Sequence, residues 1–205
     1  VGKKIFIIED SAQSHLAFFG DEKKIKLNKY ADISCYSFYP AKNLGAFGDG
    51  GLVSVNNELL YKRLLALRNL GSIKKNSHFL KGMNSRLDTL QAVVLREKLG
   101  EVLSFNEKRR NIAEYYDKHL SNIREIKLTK TNKGSSRHLY VIRVKNREKL
   151  IKYLSKRKIS CQIHYPYSLN KLEAFKKHIN KVKLYVSERW SRDCLSLPIH
   201  PNLSR

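Results

Sequence analysis

Cysteine is scarce in this chain: there are three, Cys35, Cys161 and Cys194, widely spaced and odd in number. No close pair suggests a metal site or a disulfide framework, and a reduced cytoplasmic setting is the economical reading. Long apolar runs are lacking as well. No stretch of the 205 residues approaches the length of a membrane span. The opening "VGKKIFIIED" has no initiator Met and no signal-peptide pattern. It reads as a strand that starts almost at once, which leads to the expectation that the natural beginning is missing. Phosphate-loop signatures are absent too: "KNLGAFGDGG" does not fit GxxxxGK[ST], and no GxGxxG occurs.

Acidic residues are the last shortage. Eighteen Asp and Glu stand against 41 Lys and Arg, for a formal net charge of +23. Such a charge admits a nucleic-acid partner. Here, however, lysine is spread over nearly every segment ("GDEKKIKLNK", "GSIKKN", "KKHINKVK") and forms no single stripe interleaved with aromatics. A lysine-heavy solvated surface is therefore the preferred reading. An anionic small substrate would profit from the same field.

What is present is enough apolar material for a core, 41% of residues. "KKIFIIED" fits a strand buried on both faces. "SAQSHLAFFG" fits a loop or short helical turn. "ADISCYSF" and "GGLVSV" fit further strands, and "NELLYKRLLALRNLG" an amphipathic helix stopped by Gly71. "SIKKNSHFLKGMNSR" reads as a loop. The stretch from Leu87 to Asn122 reads as helix, bent near Gly100. Beyond it the texture becomes α+β. "REIKLT" and "HLYVIRV" are expected strands around a turn at Gly134 to Ser136. "REKLIKYLSKRK" is an expected helix, "SCQIHYP" a strand ended by Pro166, and "KVKLYVSERWSRDCLSLP" a helix stopped by Pro198. The domain boundary is placed near Leu120, giving 1–120 and 121–205.

Three pieces carry chemistry. Asp10 stands at the carboxyl end of an apolar strand, where open α/β sheets bind ligands; a helix cap or a surface acid would stand there as well. Lys42 sits in "SFYPAKNLGAFGDGG", between a proline and several glycines, a stiff setting able to fix and activate a nucleophilic amine. Ser37, and Asn84 in "KGMNSRLDTLQA", suit hydrogen bonds to an anion such as phosphate. A strand-end acid, a strand ending in Ser-Phe, a loop lysine and a glycine-bounded return together meet the needs of a pyridoxal phosphate site. That cofactor requires a lysine for its Schiff base, an acid at the pyridine nitrogen and donors for its phosphate.

"EDSAQSHLA", "YSFYPAKNLGAFGDGG", "GMNSRLDTLQA" and "LSLPIHP" together resemble the DegT/DnrJ/StrS-type sugar aminotransferases, in family order and over essentially the whole chain. The resemblance implies a partial fold type I (aspartate aminotransferase-like) α/β large domain followed by a small carboxyl-terminal α+β domain. It implies pyridoxal 5'-phosphate as cofactor and a nucleotide-linked keto-sugar as substrate. It further implies an amino-acid donor, glutamate by family habit, and a homodimer with shared active sites. Position by position, Lys42 matches the Schiff-base lysine, Asp10 the partner of the pyridine nitrogen, and Gln13 the contact to the phenolic oxygen. Ser37 matches a phosphate ligand, and Asn84 an asparagine reaching the neighbouring subunit's cofactor phosphate. His164 falls where relatives approach the sugar. No metal or membrane is implied.

Relatives carry a large stretch before the acid-bearing strand, with further phosphate donors, the group that stacks on the ring and the first strands of the sheet. The sequence thus reads as amino-terminally truncated, with poor cofactor binding expected of these residues alone. Other readings are an inactive or incomplete relative, a dehydratase of the same fold, which would carry histidine where Lys42 stands, and a basic nucleic-acid-binding protein.

Overall fold

The computed structural model describes residues 5–19, 30–175, 179 and 182–203. By contacts the chain divides into two compact units, Val1–Asn106 with Gly134–Ser136, and Glu107–Lys133 with Arg137–Arg205. The division falls inside a long helix whose far end, near Leu120, is the boundary read from the sequence.

The first unit is built on a three-stranded sheet in the order β1 (Ile8–Asp10), β2 (Ile33–Ser37), β3 (Gly51–Val55). β1 runs parallel to β2, with Asp10 opposite Cys35, and β3 returns antiparallel, with Gly51 opposite Ser37. β1 is not buried on both faces: Ile8 is 68% exposed, and Ile5, Phe6 and Ile7 are exposed beside it. Its backbone pairs with β2, while these apolar side chains stay largely exposed. Lys3 and Lys4 of the expected strand, and Gly20 after the turn, lie outside the described residues.

α1 (Glu58–Arg68) is capped by Asn57, whose side chain accepts from Leu60 N. It ends where expected. Gly71 adopts φ +76° and donates to the Ala66 carbonyl at 2.7 Å, the left-handed closure that glycine allows. The following stretch is not a plain loop. β4 (Ser72–Lys74) and β5 (Ser77–His78) pair as a hairpin, because Asn76 takes φ 63° at its turn and closes it. α2 (Thr89–Leu99) and α3 (Val102–Leu120) break at Gly100, as the sequence suggests. The unit's core gathers Phe38, Leu44, Ala46, Leu95 and Val102.

The second unit has an antiparallel sheet, β6 (Ile126–Leu128), β7 (Tyr140–Val144) and β8 (Cys194–Leu197), in that order. Alternate β7 residues Tyr140, Ile142 and Val144 are buried. Tyr140, Ile142 and Leu195 pack with Ala113 of α3 and with Leu150, Ile151 and Leu154 of α4 (Arg147–Lys156). Two expectations fail here. The last expected helix is only α5 (Tyr185–Asp193), and Cys194–Leu197 is a strand instead. Pairing with β7 satisfies its backbone and buries it, overriding local helical patterning. "SCQIHYP" supplies no strand. Gln162 alone exchanges hydrogen bonds with Ser196, at 3.2 and 2.8 Å, and Pro166 lacks the donor a longer ladder needs.

Arg109, buried in the same unit, donates to the carbonyl of Ile199 at 2.7 Å, and burial pulls its guanidinium below the usual range. Tyr140 donates to Asp117 Oδ1 at 2.6 Å; burial, then that carboxylate, push its phenol upward.

His15, after the first strand, is 4% exposed, and neither ring nitrogen has a hydrogen-bond partner. Its ring lies 5.8 Å from Tyr36 and 6.1 Å from Phe38. Burial holds the imidazole below its ordinary pKa. The Ser37 backbone pulls the other way, and the Lys42 cation, the smallest of the three causes, adds to the lowering.

Two outcomes follow from this packing. Ile142→Ala should cost about 2–5 kcal/mol in chemical unfolding, against under about 0.5 kcal/mol for exposed Lys152→Ala. Folding lowers the His15 pKa below its unfolded value near 6.5, so the neutral ring is favoured in the fold and that stabilisation is lost as pH falls through this range. Melting temperatures from about pH 7.5 down to about pH 5.5 should therefore fall more steeply for the wild type than for His15→Leu. Equal slopes would remove His15 from the account.

Candidate active site

The site is assembled at the carboxyl edge of the first sheet. Residues opposite one another in a sheet share a face, and so do residues two apart on one strand. Asp10 is opposite Cys35, and Ser37 follows Cys35 by two positions. Asp10 and Ser37 therefore project from one face, with Cα atoms roughly 8 Å apart by strand geometry. Glu9 and Ser34 take the other face, where Ser34 Oγ donates to Glu9 Oε2 at 2.7 Å. Gly51, opposite Ser37 in β3, puts no side chain beside it. A Cβ there would meet the Tyr36 carbonyl at 2.9 Å.

The chain beyond each strand is fixed by hydrogen bonds. Ser11 N donates to the Cys35 carbonyl at 2.8 Å, and Ala12 N to Asp10 Oδ1 at 3.0 Å. The acid thus caps its own turn, and its exposed carboxylate retains a second oxygen. Past β2, Tyr39 N donates to Ser37 Oγ at 3.3 Å and Lys42 N to the Tyr39 carbonyl at 2.8 Å. Phe38 N donates to the Gly50 carbonyl at 2.7 Å and the Phe38 carbonyl accepts from Ala46 N at 2.8 Å, which closes the loop. Gly45 lies against Pro40: a Cβ would come 2.3 Å from the Pro40 carbonyl oxygen. Glycine is required there because the loop folds back on Pro40 with no room for a side chain. Lys42 is half-buried within it.

Gln13 is exposed on the turn after Asp10, its backbone carbonyl accepting from Ser136 Oγ at 2.6 Å. Asn84 stands outside this strand-end group. It forms a bridge with Asn69 after the β4–β5 hairpin, and its exposed side chain accepts from Arg86 N at 3.5 Å. His164 belongs to the second unit, where its Nδ1 lies 2.8 Å from Ser196 Oγ and its ring packs edge-on against Tyr165. Sequence reasoning missed His15, Asn43, Asn106 and Ser136, buried polar residues that hold the turn and the lysine loop. An asparagine directly after Lys42 was the one visible signal.

The donor set fits pyridoxal phosphate chemically. One amine can take up an aldehyde, a carboxylate on the strand-end face suits a pyridinium nitrogen, and a hydroxyl on that same face beside a side-chain-free glycine suits a phosphate. Among the described residues no group of three His, Cys, Asp or Glu could hold a metal ion, and no helix is long and apolar enough to cross a membrane.

The model of the DegT/DnrJ/EryC1/StrS aminotransferase family matches residues 2–205. The chain is 38% identical over 204 residues to the dTDP-3-amino-3,4,6-trideoxy-alpha-D-glucose transaminase of Streptomyces venezuelae, covering 98% of this chain and 53% of that protein. It is 40% identical over 200 residues to the dTDP-3-amino-3,6-dideoxy-alpha-D-galactopyranose transaminase of Aneurinibacillus thermoaerophilus, covering 97% and 54%. The crystal structure of S. venezuelae DesV in complex with a ketimine intermediate superposes with a TM-score of 0.91 at 38% identity, over 98% of this chain and 54% of that one. The chain spans about half the length of the curated relatives it matches. The α/β class expected from the sequence, a part of the fold these transaminases share, is borne out. With its motifs in place and a match along nearly its whole length, this chain belongs to the DegT/DnrJ/EryC1/StrS aminotransferase family.

Proposed function

We propose that these residues form part of a pyridoxal phosphate-dependent aminotransferase that places an amino group on a nucleotide-linked keto-sugar, for amino-sugar biosynthesis. The observation that carries this reading is the shared face of Asp10 and Ser37 at the sheet's carboxyl edge, with Lys42 in the stiff loop directly beyond. Relatives named as dTDP-sugar transaminases support the substrate class. Glutamate as donor, a homodimer and a cytoplasmic setting belong to the same proposal. So does the division into a large-domain remainder (1–120) and a small domain (121–205).

The cofactor, when bound, supplies an aldehyde carbon and an electron sink. The chain's own residues do the rest. Lys42 Nζ would hold the cofactor's aldehyde carbon and, when free, would serve as base and acid for the proton at the substrate carbon. The Asp10 carboxylate would pair with the ring nitrogen and favour a proton there, because a cation is stabilised beside a carboxylate. Ser37 Oγ would donate to the phosphate. Gln13 would hold the phenolic oxygen, Asn84 would reach the phosphate across a dimer, and His164 would face the sugar. The basic surface draws in the anionic nucleotide diphosphate. Lys42, in place of histidine, favours amino transfer over dehydration.

Borohydride reduction with pyridoxal 5'-phosphate, on the complete protein of which these residues form part, tests the reading. Lys42 should be labelled at least about tenfold more than exposed lysines such as Lys62 and Lys152, since only a fixed amine beside phosphate and ring partners gains that advantage. Lys42→Ala should remove the selective label. Uniform labelling of all lysines would contradict the proposal.

A further inference from the structure

Sheet pairing fixes where β1 and β2 end. It does not by itself fix the two loops that leave those ends, and the candidate chemistry sits on both. The turn after Asp10 and the loop around Lys42 meet on a closed circuit of buried hydrogen bonds. Asn106, in the first turns of α3, is 0% exposed. Its Nδ2 donates to the His15 carbonyl at 2.8 Å, and its Oδ1 accepts from Asn43 Nδ2 at 2.7 Å. The same Asn43 nitrogen donates to the Ser136 carbonyl at 2.7 Å. Ser136 Oγ returns to the first turn, donating to the Gln13 carbonyl at 2.6 Å. Asn43 and Ser136 are themselves buried, at 8% and 3% exposure. Two residues before Ser136 the same segments meet again: Phe18 N donates to the Gly134 carbonyl at 3.0 Å, and a Cβ on Gly134 would come 1.9 Å from the Phe18 carbonyl oxygen.

We propose that Asn106 is a positioning residue: its amide ties Asn43 to the His15 carbonyl, and so sets where the Lys42 amine stands relative to the Asp10 carboxylate. The inference rests on the aminotransferase reading of Lys42. Packing alone does not call for an amide here. Asn106 lies one turn from Val102 of the apolar core, and an apolar side chain of similar volume fills such a place with little loss when both partners of a hydrogen bond are replaced. An amide differs in being directional. It holds two backbone segments, far apart in sequence, at fixed angle and distance, and a satisfied buried network is stiff because any shift leaves polar groups unpaired. The two tethered positions are informative. Asn43 adjoins the candidate nucleophile, and Gln13 and His15 lie on the turn that Asp10 itself caps. A displacement of about 1 Å between an acid and an amine that must flank one ring costs rate on the order of a hundredfold.

The experiment uses the complete protein of which these residues form part, with four variants: Asn106→Leu, Asn106→Ala, Asn43→Ala and the Asn43→Ala/Asn106→Leu double. Two readouts are taken, neither needing turnover. The first is backbone hydrogen exchange of peptides covering 11–18 and 38–50, with α1 and β7 as internal references. The second is reductive trapping by pyridoxal 5'-phosphate and borohydride, read as Lys42 label relative to exposed lysines; reduction captures even short-lived adducts. Asn106→Leu keeps the volume, so it is the variant expected to stay folded.

The expected result is exchange at least about tenfold faster in both loops with the references unchanged, together with a drop of about tenfold or more in Lys42 selectivity. The double variant should be no worse than the worse single variant, because the two amides act as one link. A purely structural role would move the melting temperature without separating the loops from the references. Selective trapping in the wild type that persists unchanged in Asn106→Leu overturns the inference and leaves the aminotransferase reading intact. A wild type that shows no Lys42 selectivity overturns both.

Discussion

The parallel pairing of β1 with β2 is the constraint from which the rest of the site follows. Its register sets Asp10 opposite Cys35, which puts Asp10 and Ser37 on one face. A slip of one residue would turn the acid to the face of Glu9 and Ser34 and separate it from the hydroxyl. The antiparallel return of β3 then brings Gly51 opposite Ser37, leaving room where a side chain would intrude. A short stretch of backbone hydrogen bonding thus decides which groups can meet a single flat ligand, before any loop is considered.

Loops supply the remaining precision, and here polar burial does what pairing cannot. Proline at the entry and glycine pressed against it give the lysine loop a fixed internal shape. The Asn43–Asn106–Ser136 circuit connects that shape to the turn beyond Asp10. Side-chain amides are costly to bury unpaired and stiff once paired, so the arrangement exchanges some packing for direction. His15 adds a neutral ring to the same surroundings. Burial lowers its pKa and so favours the uncharged ring, and the Lys42 cation adds to that preference.

Much of this was legible in the residues. Lys42 stood out because its loop is glycine-marked while the other lysines lie in polar runs. The break at Gly100 and the closure at Gly71 were visible because glycine does there what no other residue does as cheaply. The motif order pointed to the family and the α/β class, and the likeness to solved transaminases bears both out. What was not legible depends on long-range contact. Cys194–Leu197 continues a helical pattern locally and becomes a strand because β7 offers it partners. The β4–β5 hairpin hides in polar sequence, closed by an asparagine in the left-handed region. The role of Asn106 could not be read at all, since its partners come from segments distant in sequence.

A crystal structure of the protein grown with pyridoxal 5'-phosphate tests the central claim most directly. The account predicts density continuous from Lys42 Nζ to the cofactor, the Asp10 carboxylate about 2.7–3.2 Å from the pyridine nitrogen and Ser37 Oγ on the phosphate. A cofactor bound with Asp10 turned away from its ring, or joined to another lysine, would contradict it.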